Sequence, residues 1–178
     1  MLIHLPLISR AAFAGAALSM VGFAASAEAL SSTFSFRVVE VTEDGQEQLA
    51  ERGTVRPGEI IHYQLSHENT TTDAMAGIVI AAPVPQGVTL TLGGETTSVK
   101  AVFEVQAELD PEQEGLEWST LPAMRMVADA DGTLHEEPLP EAEIAAVRWT
   151  FSEPLNAGET AFNTDSVRVD CSVVLSQL

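Results

Sequence analysis

The sequence predicts an all-β fold, an immunoglobulin-like antiparallel β-sandwich of about seven to nine strands that follows a cleavable signal peptide. Three observations predict it. Apolar and polar residues alternate with a period of two along most of the chain after residue 30, as in half-buried strands. Gly, Pro, Asn and Asp interrupt these runs at the spacing of short strands. The first residues have the pattern of an export signal.

The strands are predicted in chain order from this alternation. Each run has one apolar and one polar side, except the short continuous run at 78–80, which suits a strand covered on both faces. The predicted runs cover residues 34–41, 61–66, 78–80, 88–92, 99–105, 124–128, 133–135, 147–151 and a last segment through 167–173. Their phase places five large side chains in the core: Tyr63, Leu65, Phe103, Trp149 and Phe151.

The breaks between these runs carry turn chemistry. Pro57-Gly58 suits a type II turn, because proline fixes φ and glycine tolerates a positive φ. Asp131-Gly132 predicts a hairpin with a primed two-residue turn, and Asp44-Gly45 is a similar hairpin signal. Residues 46–52 are compatible with a strand or with one helical turn, and residues 110–115 form an acidic loop.

The N-terminal segment predicts export. Arg10 precedes a run of small and apolar residues at 11–25, which is too short to cross a bilayer as a helix. The run ends in two overlapping small-x-small patterns, 25–27 and 27–29. We therefore predict a signal peptide at residues 1–29, with cleavage after Ala29 or, as second choice, after Ala27. Residues 30–178 form one domain in the periplasm or outside the cell. An uncleaved membrane anchor is the alternative.

The charge of the chain narrows the range of partners. Its formal net charge is −18 at pH 7, and the acidic residues are interspersed rather than gathered in one tail. Such a surface repels phosphate backbones and anionic headgroups, so we expect no nucleic-acid partner. After the signal peptide, no apolar run is long enough for a membrane-spanning helix.

The single cysteine, Cys171, excludes an intramolecular disulfide. It lies far from the predicted cleavage site, so the chain lacks the cysteine of a lipid-anchored precursor. Its phase matches Val167, Val169 and Val173, which predicts a small core residue. A reactive or dimer-forming thiol is the alternative.

One block of the sequence has a pattern known from a bacterial family. The segment Val55-Arg56-Pro57-Gly58-Glu59-Ile60-Ile61-His62-Tyr63 is followed by Asn69, the run Ile78-Val79-Ile80 and the turn Pro83-Val84-Pro85-Gln86-Gly87. The segments Val147-Arg148-Trp149-Thr150-Phe151 and Leu155-Asn156-Ala157-Gly158-Glu159 match its closing half. Residues 34–175 thereby resemble the conserved repeat domain, domain-of-unknown-function eleven. The resemblance implies an exported Ig-like sandwich, structural or adhesive, with no catalytic residues. The single copy here departs from the tandem arrays of that family.

The sequence gives little support for catalysis, and we expect a protein that is not an enzyme. It has no Gly-x-Ser-x-Gly motif and no recognisable triad. His62 and His135 have the outward phase of solvated residues, whereas His67 shares the inward phase of Tyr63 and Leu65.

A metal site is the alternative to a partner-binding module. Asp129 and Asp131 resemble the middle of an EF-hand loop, although Val127 and Pro138 occupy its two ends. These aspartates predict at most a weak calcium site, with help from Glu136 or from the acidic loop at 110–115; no cofactor other than a metal ion is expected. A second possibility is a copper site on Met124 and Met126, with His135 across the hairpin.

The leading hypothesis is a non-catalytic cell-envelope or secreted module that binds a protein or cell-surface partner. The region 110–143 is rich in acids and contains Arg125 as its only arginine or lysine. We predict it as the contact face for a basic or cation-bridged partner. An edge strand is the rival contact surface, since its unpaired backbone groups can accept a partner strand.

Overall fold

The computed structural model describes residues 29–171, which form an all-β structure with one short 3-10 turn at Glu141–Glu143. The strands are β1 (Leu30–Val41), β2 (Glu47–Ala50), β3 (Ile60–Asn69), β4 (Val79–Pro83), β5 (Val88–Leu90), β6 (Thr96–Thr97), β7 (Ala101–Ala107), β8 (Glu117–Thr120), β9 (Met124–Ala128), β10 (Leu134–Pro138), β11 (Ala146–Phe151) and β12 (Thr160–Val169).

Two antiparallel sheets contain all strands except β9 and β10, which pair as a separate hairpin. The first sheet has the order β2-β1-β3-β12-β5, with β6 beside β12 on the same edge as β5. The second has the order β4-β11-β7-β8. The inner faces of both sheets contribute to one apolar core, an arrangement consistent with the predicted sandwich.

The core is centred on β11. Trp149 is 1% exposed, pairs across the ladder with Phe103 of β7 and with Ile80 of β4, and its ring centroid lies 5.3 Å from that of Phe103. Of the five side chains predicted in the core, Trp149 and Phe151 are buried. The other three, Tyr63, Leu65 and Phe103, are half-buried and pack against the core. Alternation predicted β11 correctly because one face of that strand packs in the core and the other faces solvent.

The wet face of the second sheet carries a charged cluster. Arg148 of β11 donates from Nε and Nη2 to the two carboxylate oxygens of Glu104, at 2.7 and 2.9 Å. Its guanidinium lies 4.3 Å from the ring centroid of Trp118 on β8. The ion pair raises the pKa of Arg148 and lowers that of Glu104, because each charge stabilises the other. This cluster ties three strands together across their outer face.

Two turns with the same hydrogen-bond pattern open β3 and β12. Glu59 N–H donates to Arg56 C=O at 3.1 Å, and Gly58 has φ +85°, so the predicted type II turn at Pro57-Gly58 is confirmed. Glu159 N–H donates to Asn156 C=O at 3.0 Å in the second turn. In each turn the glutamate carboxylate also accepts the backbone N–H of the first residue, at 2.7 and 2.8 Å.

The hairpin turn between β9 and β10 differs from the prediction. Gly132 N–H donates to Asp129 C=O and Asp129 N–H to Thr133 C=O, both at 2.9 Å. Gly132 has φ +85°, whereas no described non-glycine residue has a positive φ. A type I′ turn needs a positive φ at Asp131 too, so the predicted primed turn is wrong. The loop is a type I turn closed by a left-handed glycine, and Thr42–Gln46 uses the same design around Gly45.

Among the remaining predictions about local structure, most are confirmed and the one for Cys171 is wrong. Residues 46–52, which suit a strand or a helical turn by sequence, contain the strand β2, and residues 110–115 form a loop as predicted. The core position predicted for Cys171 is wrong: β12 ends at Val169, Asp170 N–H turns away to Gly87 C=O, and the thiol is exposed. Val167 and Val169 face the core as predicted. The signal-peptide prediction lies outside the described residues, except for Ala29.

Candidate functional site

The candidate functional site is the open edge of β1. Residues 30–39 of β1 pair with β3, but on the other side β2 begins to pair only at Val38. Within residues 29–171, the stretch 30–37 therefore has a strand neighbour on one side only. Ser31 to Arg37 are all exposed, and no Asp, Glu, Lys, Arg or Pro occurs from Leu30 to Phe36. We call residues 30–36 the open edge.

The direction of the backbone groups along the open edge follows from two contacts. Ala29 C=O accepts the N–H of Thr70 on the β3 side, and Thr42 N–H donates to Gln46 C=O on the β2 side. Because backbone groups of successive residues point to opposite sides of a strand, odd-numbered residues of β1 pair with β3. The N–H and C=O groups of residues 30, 32, 34 and 36 point away from β3, to the side that β2 leaves uncovered.

An aromatic patch lies beside this edge. Phe34 is 62% exposed and Phe36 40% exposed, although both have the phase of the buried Val38. Their ring centroids lie 5.2 and 6.5 Å from that of Tyr63 on β3. Val38 is buried but neither phenylalanine is, so the second sheet covers the inner face only partly at this end. Apolar side chains therefore adjoin unpaired backbone groups, a combination typical of strand-recognition surfaces.

Several acidic side chains of the region 110–143 contact other residues of the same region. Arg125 of β9 contacts both Glu137 of β10, at 2.6 Å, and Glu143 of the 3-10 turn. These two carboxylates raise the pKa of Arg125. Asp110 accepts hydrogen bonds from Glu112 N–H and from the Gln113 side chain, both at 3.0 Å, which lower its pKa. Sequence reasoning missed this network because the partner glutamates lie 12 and 18 residues beyond Arg125.

The two aspartates of the calcium hypothesis serve the hairpin turn. Asp131 Oδ1 accepts Thr133 N–H at 3.1 Å, which lowers the pKa of Asp131. Asp129 Oδ1 lies 3.4 Å from Nδ1 of His135. Across residues 29–171, no group of three or more His, Cys, Asp or Glu side chains is placed to hold a metal ion. Calcium binding at Asp129 and Asp131 stays a prediction.

The hairpin register separates the copper ligands suggested above. Met124 lies opposite Pro138 and Met126 opposite Glu136, whereas His135 lies opposite Val127. Since directly paired residues point to the same face, His135 is on the other face from the two methionines.

The predictions for the histidines have mixed outcomes: His67 is buried and His135 is exposed as predicted, whereas the solvated position predicted for His62 is wrong. His67 is 5% exposed and its Nδ1 lies 2.8 Å from Ser32 Oγ, while burial lowers its pKa. His62 is half-buried and lies 3.2 Å from Ser166 Oγ. A nucleophilic triad also needs a carboxylate on the histidine. No ion pair in the described chain joins His62 to one.

The comparisons with known proteins give no relatives. No family model, curated protein or solved structure matches this chain. The resemblance to the conserved repeat domain therefore stays a prediction from the residues. No helix in the described part of the chain has the length and hydropathy needed to cross a bilayer.

Proposed function

We propose that the protein is an exported, non-catalytic binding module that captures a protein partner by adding a strand of that partner to β1. The observation that carries the proposal is the open edge, residues 30–36, with its outward backbone groups and its neighbours Phe34 and Phe36. Natural proteins protect such edges with charges, prolines or bulges. This edge has no charge and no proline, so its exposure favours a docking role.

The fold class within this proposal is an Ig-like sandwich with a changed strand order. Constant-type Ig domains have sheets A-B-E-D and C-F-G. The sheet orders β1-β3-β12-β5 and β4-β11-β7 support an assignment of these strands to those positions. In an Ig domain the chain fills positions E, F and G in that order. In this assignment the chain fills them in the opposite order, with β7 at position G, β11 at position F and β12 at position E. All neighbours remain antiparallel, and β12 becomes a central strand.

The open edge is favoured over the acidic region 110–143 as the contact surface. Several acids of that region already have partners within the chain: Glu137 and Glu143 contact Arg125, and Asp110 accepts a hydrogen bond from Gln113. A partner would have to compete with those contacts. The open edge requires no such competition, since within the described residues nothing pairs with its outer side.

Photo-crosslinking in the producing cell tests the proposal. A photo-activatable residue replaces Ser35, which is exposed on β1, and a second variant carries it at Glu114 in the acidic loop. We expect one discrete adduct from position 35 and none from position 114. The Phe34→Pro change, which removes an outward N–H, should abolish the adduct, and Phe34→Leu should retain it.

Any other result of the crosslinking experiment contradicts the proposal. An adduct only from position 114 would identify the acidic region as the contact face. An adduct from position 35 that survives Phe34→Pro would show contact without strand addition. No adduct from either position would exclude stable partner binding at both surfaces. Circular dichroism of each variant checks that the β-structure is retained.

A further inference from the structure

A cavity of about 290 Å³ lies between the two sheets, next to the aromatic patch of β1 and β3. Tyr63 and Leu65 of β3 form one wall, and Ala82 of β4 with Val147 of β11 form the other. Phe34 also lines it. Apart from Tyr63 and Asp165, every lining residue within 29–171 is apolar. Its volume lies near the lower end of small-molecule sites, which span roughly 300–1,000 Å³.

Asp165 is the unusual member of this lining. It lies on the inward phase of β12 with Asn163 and Val167, directly opposite Tyr63, and is only 5% exposed. Its Oδ1 has no hydrogen-bond partner in the described part of the chain. Burying a carboxylate without a partner is unfavourable by several kcal/mol in general, so such groups are normally paired. Within residues 29–171 no protein group satisfies this oxygen, so the carboxyl is free to take a ligand as its partner.

Two neighbours share the same inner face but not the cavity. Asn163 and His67 also have buried polar atoms without partners among residues 29–171. Neither lines the cavity, whereas Asp165 does. The carboxylate is therefore the group that a molecule in the cavity can reach.

We propose that this cavity binds a small organic amine, with its ammonium group on Asp165 and its apolar body between the sheets. One carboxylate in an apolar enclosure provides a single charged contact, as a monovalent organic cation requires. The rings of Phe34 and Tyr63 add faces that attract cations. The net charge of −18 raises the local concentration of cations over anions. The proposal goes beyond partner binding at the open edge and does not depend on it.

The protonation of Asp165 makes such binding pH-dependent. Burial, with a smaller contribution from Glu95, raises the pKa of Asp165 to about 6. Among the described lining residues Tyr63 is the only other titratable one, and its own pKa is raised by burial and by Asp165, so it stays neutral. The residues that β4 and β11 present to the cavity carry no titratable group. Asp165 is thus ionised at pH 7.5 and mostly protonated at pH 5.

A matched set of ligands tests the proposal. Hexylamine, hexanol and hexanoate share one apolar body and differ in charge, and each is titrated calorimetrically into the protein at pH 7.5. We expect saturable binding of hexylamine, at least tenfold weaker binding of hexanol, and no detectable binding of hexanoate. From pH 7.5 to pH 5, hexylamine affinity should fall about tenfold, because the ionised fraction of Asp165 falls that much.

Three variants localise the site. Asp165→Asn keeps the side-chain volume, and should lower hexylamine affinity at least tenfold while leaving hexanol unchanged. Ala82→Leu fills the cavity and should abolish binding of both. Glu112→Gln, which neutralises an exposed acid of the 110–115 loop, should change neither. The proposal is overturned if hexylamine does not bind, if it binds no tighter than hexanol, or if Asp165→Asn and Glu112→Gln behave alike. Thermal unfolding shows that each variant is folded before titration.

Discussion

The raised pKa of the buried Asp165 leads to a prediction about stability that does not involve a ligand. Its pKa is raised from 3.8 to about 6, so the folded state holds the proton more tightly than the unfolded state. The fold is therefore stabilised by protonation at low pH, and that contribution is lost as pH rises through about 6. This rise in the pKa corresponds to roughly 3 kcal/mol of folding free energy.

Asp165→Asn should accordingly become more stable relative to the parent protein as pH rises from 4 to 7.5, by up to about 3 kcal/mol. The amide cannot ionise, so the variant escapes the cost of a buried charge. His67 has the opposite effect, because its lowered pKa makes the fold lose stability as pH falls below its ordinary value of 6.5. That effect is common to both proteins and cancels in their difference. Urea unfolding at several pH values measures the difference, and a pH-independent value would contradict the burial of this carboxyl.

Asn69 is a second residue whose side chain connects separate segments. It is fully buried, and its Nδ2 donates to the carbonyls of Asp73 and Leu155, at 2.8 and 2.9 Å. Its Oδ1 accepts the N–H and the hydroxyl of Thr71, at 3.0 and 2.7 Å. The asparagine that the sequence pattern singled out thus fixes the loop after β3 to the segment before β12.

Asn69→Ala should lower the free energy of unfolding by about 2–3 kcal/mol, because it removes four hydrogen bonds made by a fully buried side chain. Asn156→Ala is the matched control: Asn156 is exposed and its side chain contacts only Glu159 among the described residues, so it should change stability by less than about 1 kcal/mol. Equal effects in the two variants would mean that the buried bonds contribute little. Chemical denaturation at pH 7.5 provides the comparison.

Among the structural elements, β1 gives the clearest prediction. A proline at an even-numbered position of the open edge removes only an outward N–H, whereas a proline at an odd position removes a hydrogen bond to β3. Ser35→Pro should therefore lower stability by about 2 kcal/mol or more relative to Ser35→Ala. Phe34→Pro should cost much less relative to Phe34→Ala. If both prolines were equally damaging, the assignment of outward groups to residues 32, 34 and 36 would be incorrect.

The elements also show what local sequence can decide. Alternation located β3, β7 and β11 because each buries one face against the other sheet. It missed residues 30–33 of β1, because Ser31, Ser32 and Thr33 are exposed and their strand geometry comes from pairing with β3. Asp131-Gly132 fits a primed turn or a type I turn with a left-handed glycine, and pairing across the hairpin selects between them.

Site prediction failed for a different reason. Asp165 shares the inward phase of Val167 and Val169, so the period-two pattern could have placed it inside the fold. A buried acid runs against the usual exposure of aspartate, and composition alone favours a solvated surface. The acids around Arg125 could not be predicted from the pattern at all. Glu137 and Glu143 are distant from Arg125 in sequence, and only the hairpin and the 3-10 turn bring them into contact with it.

For the molecule as a whole, the prediction of export determines the compartment in which the protein encounters a partner. The protein purified from its native cell should begin at Leu30, or at Glu28 if the second cleavage pattern is used. N-terminal sequencing or intact-mass measurement reads the end directly. A chain that retains Met1 would contradict the predicted cleavage and with it a freely secreted protein, and would favour the uncleaved membrane anchor.

The proposed binding role depends on one strand edge that residues 29–171 leave uncovered. Residue-resolved amide hydrogen exchange of the purified protein tests this most directly. We predict alternating exchange along β1: the N–H groups of Ser32, Phe34 and Phe36 exchange quickly, and those of Thr33 and Ser35 exchange slowly because they pair with β3. The measurement is made on dilute protein so that self-association is negligible. Uniform protection from residue 32 to 36 would contradict the proposed role, since the edge would then already be covered.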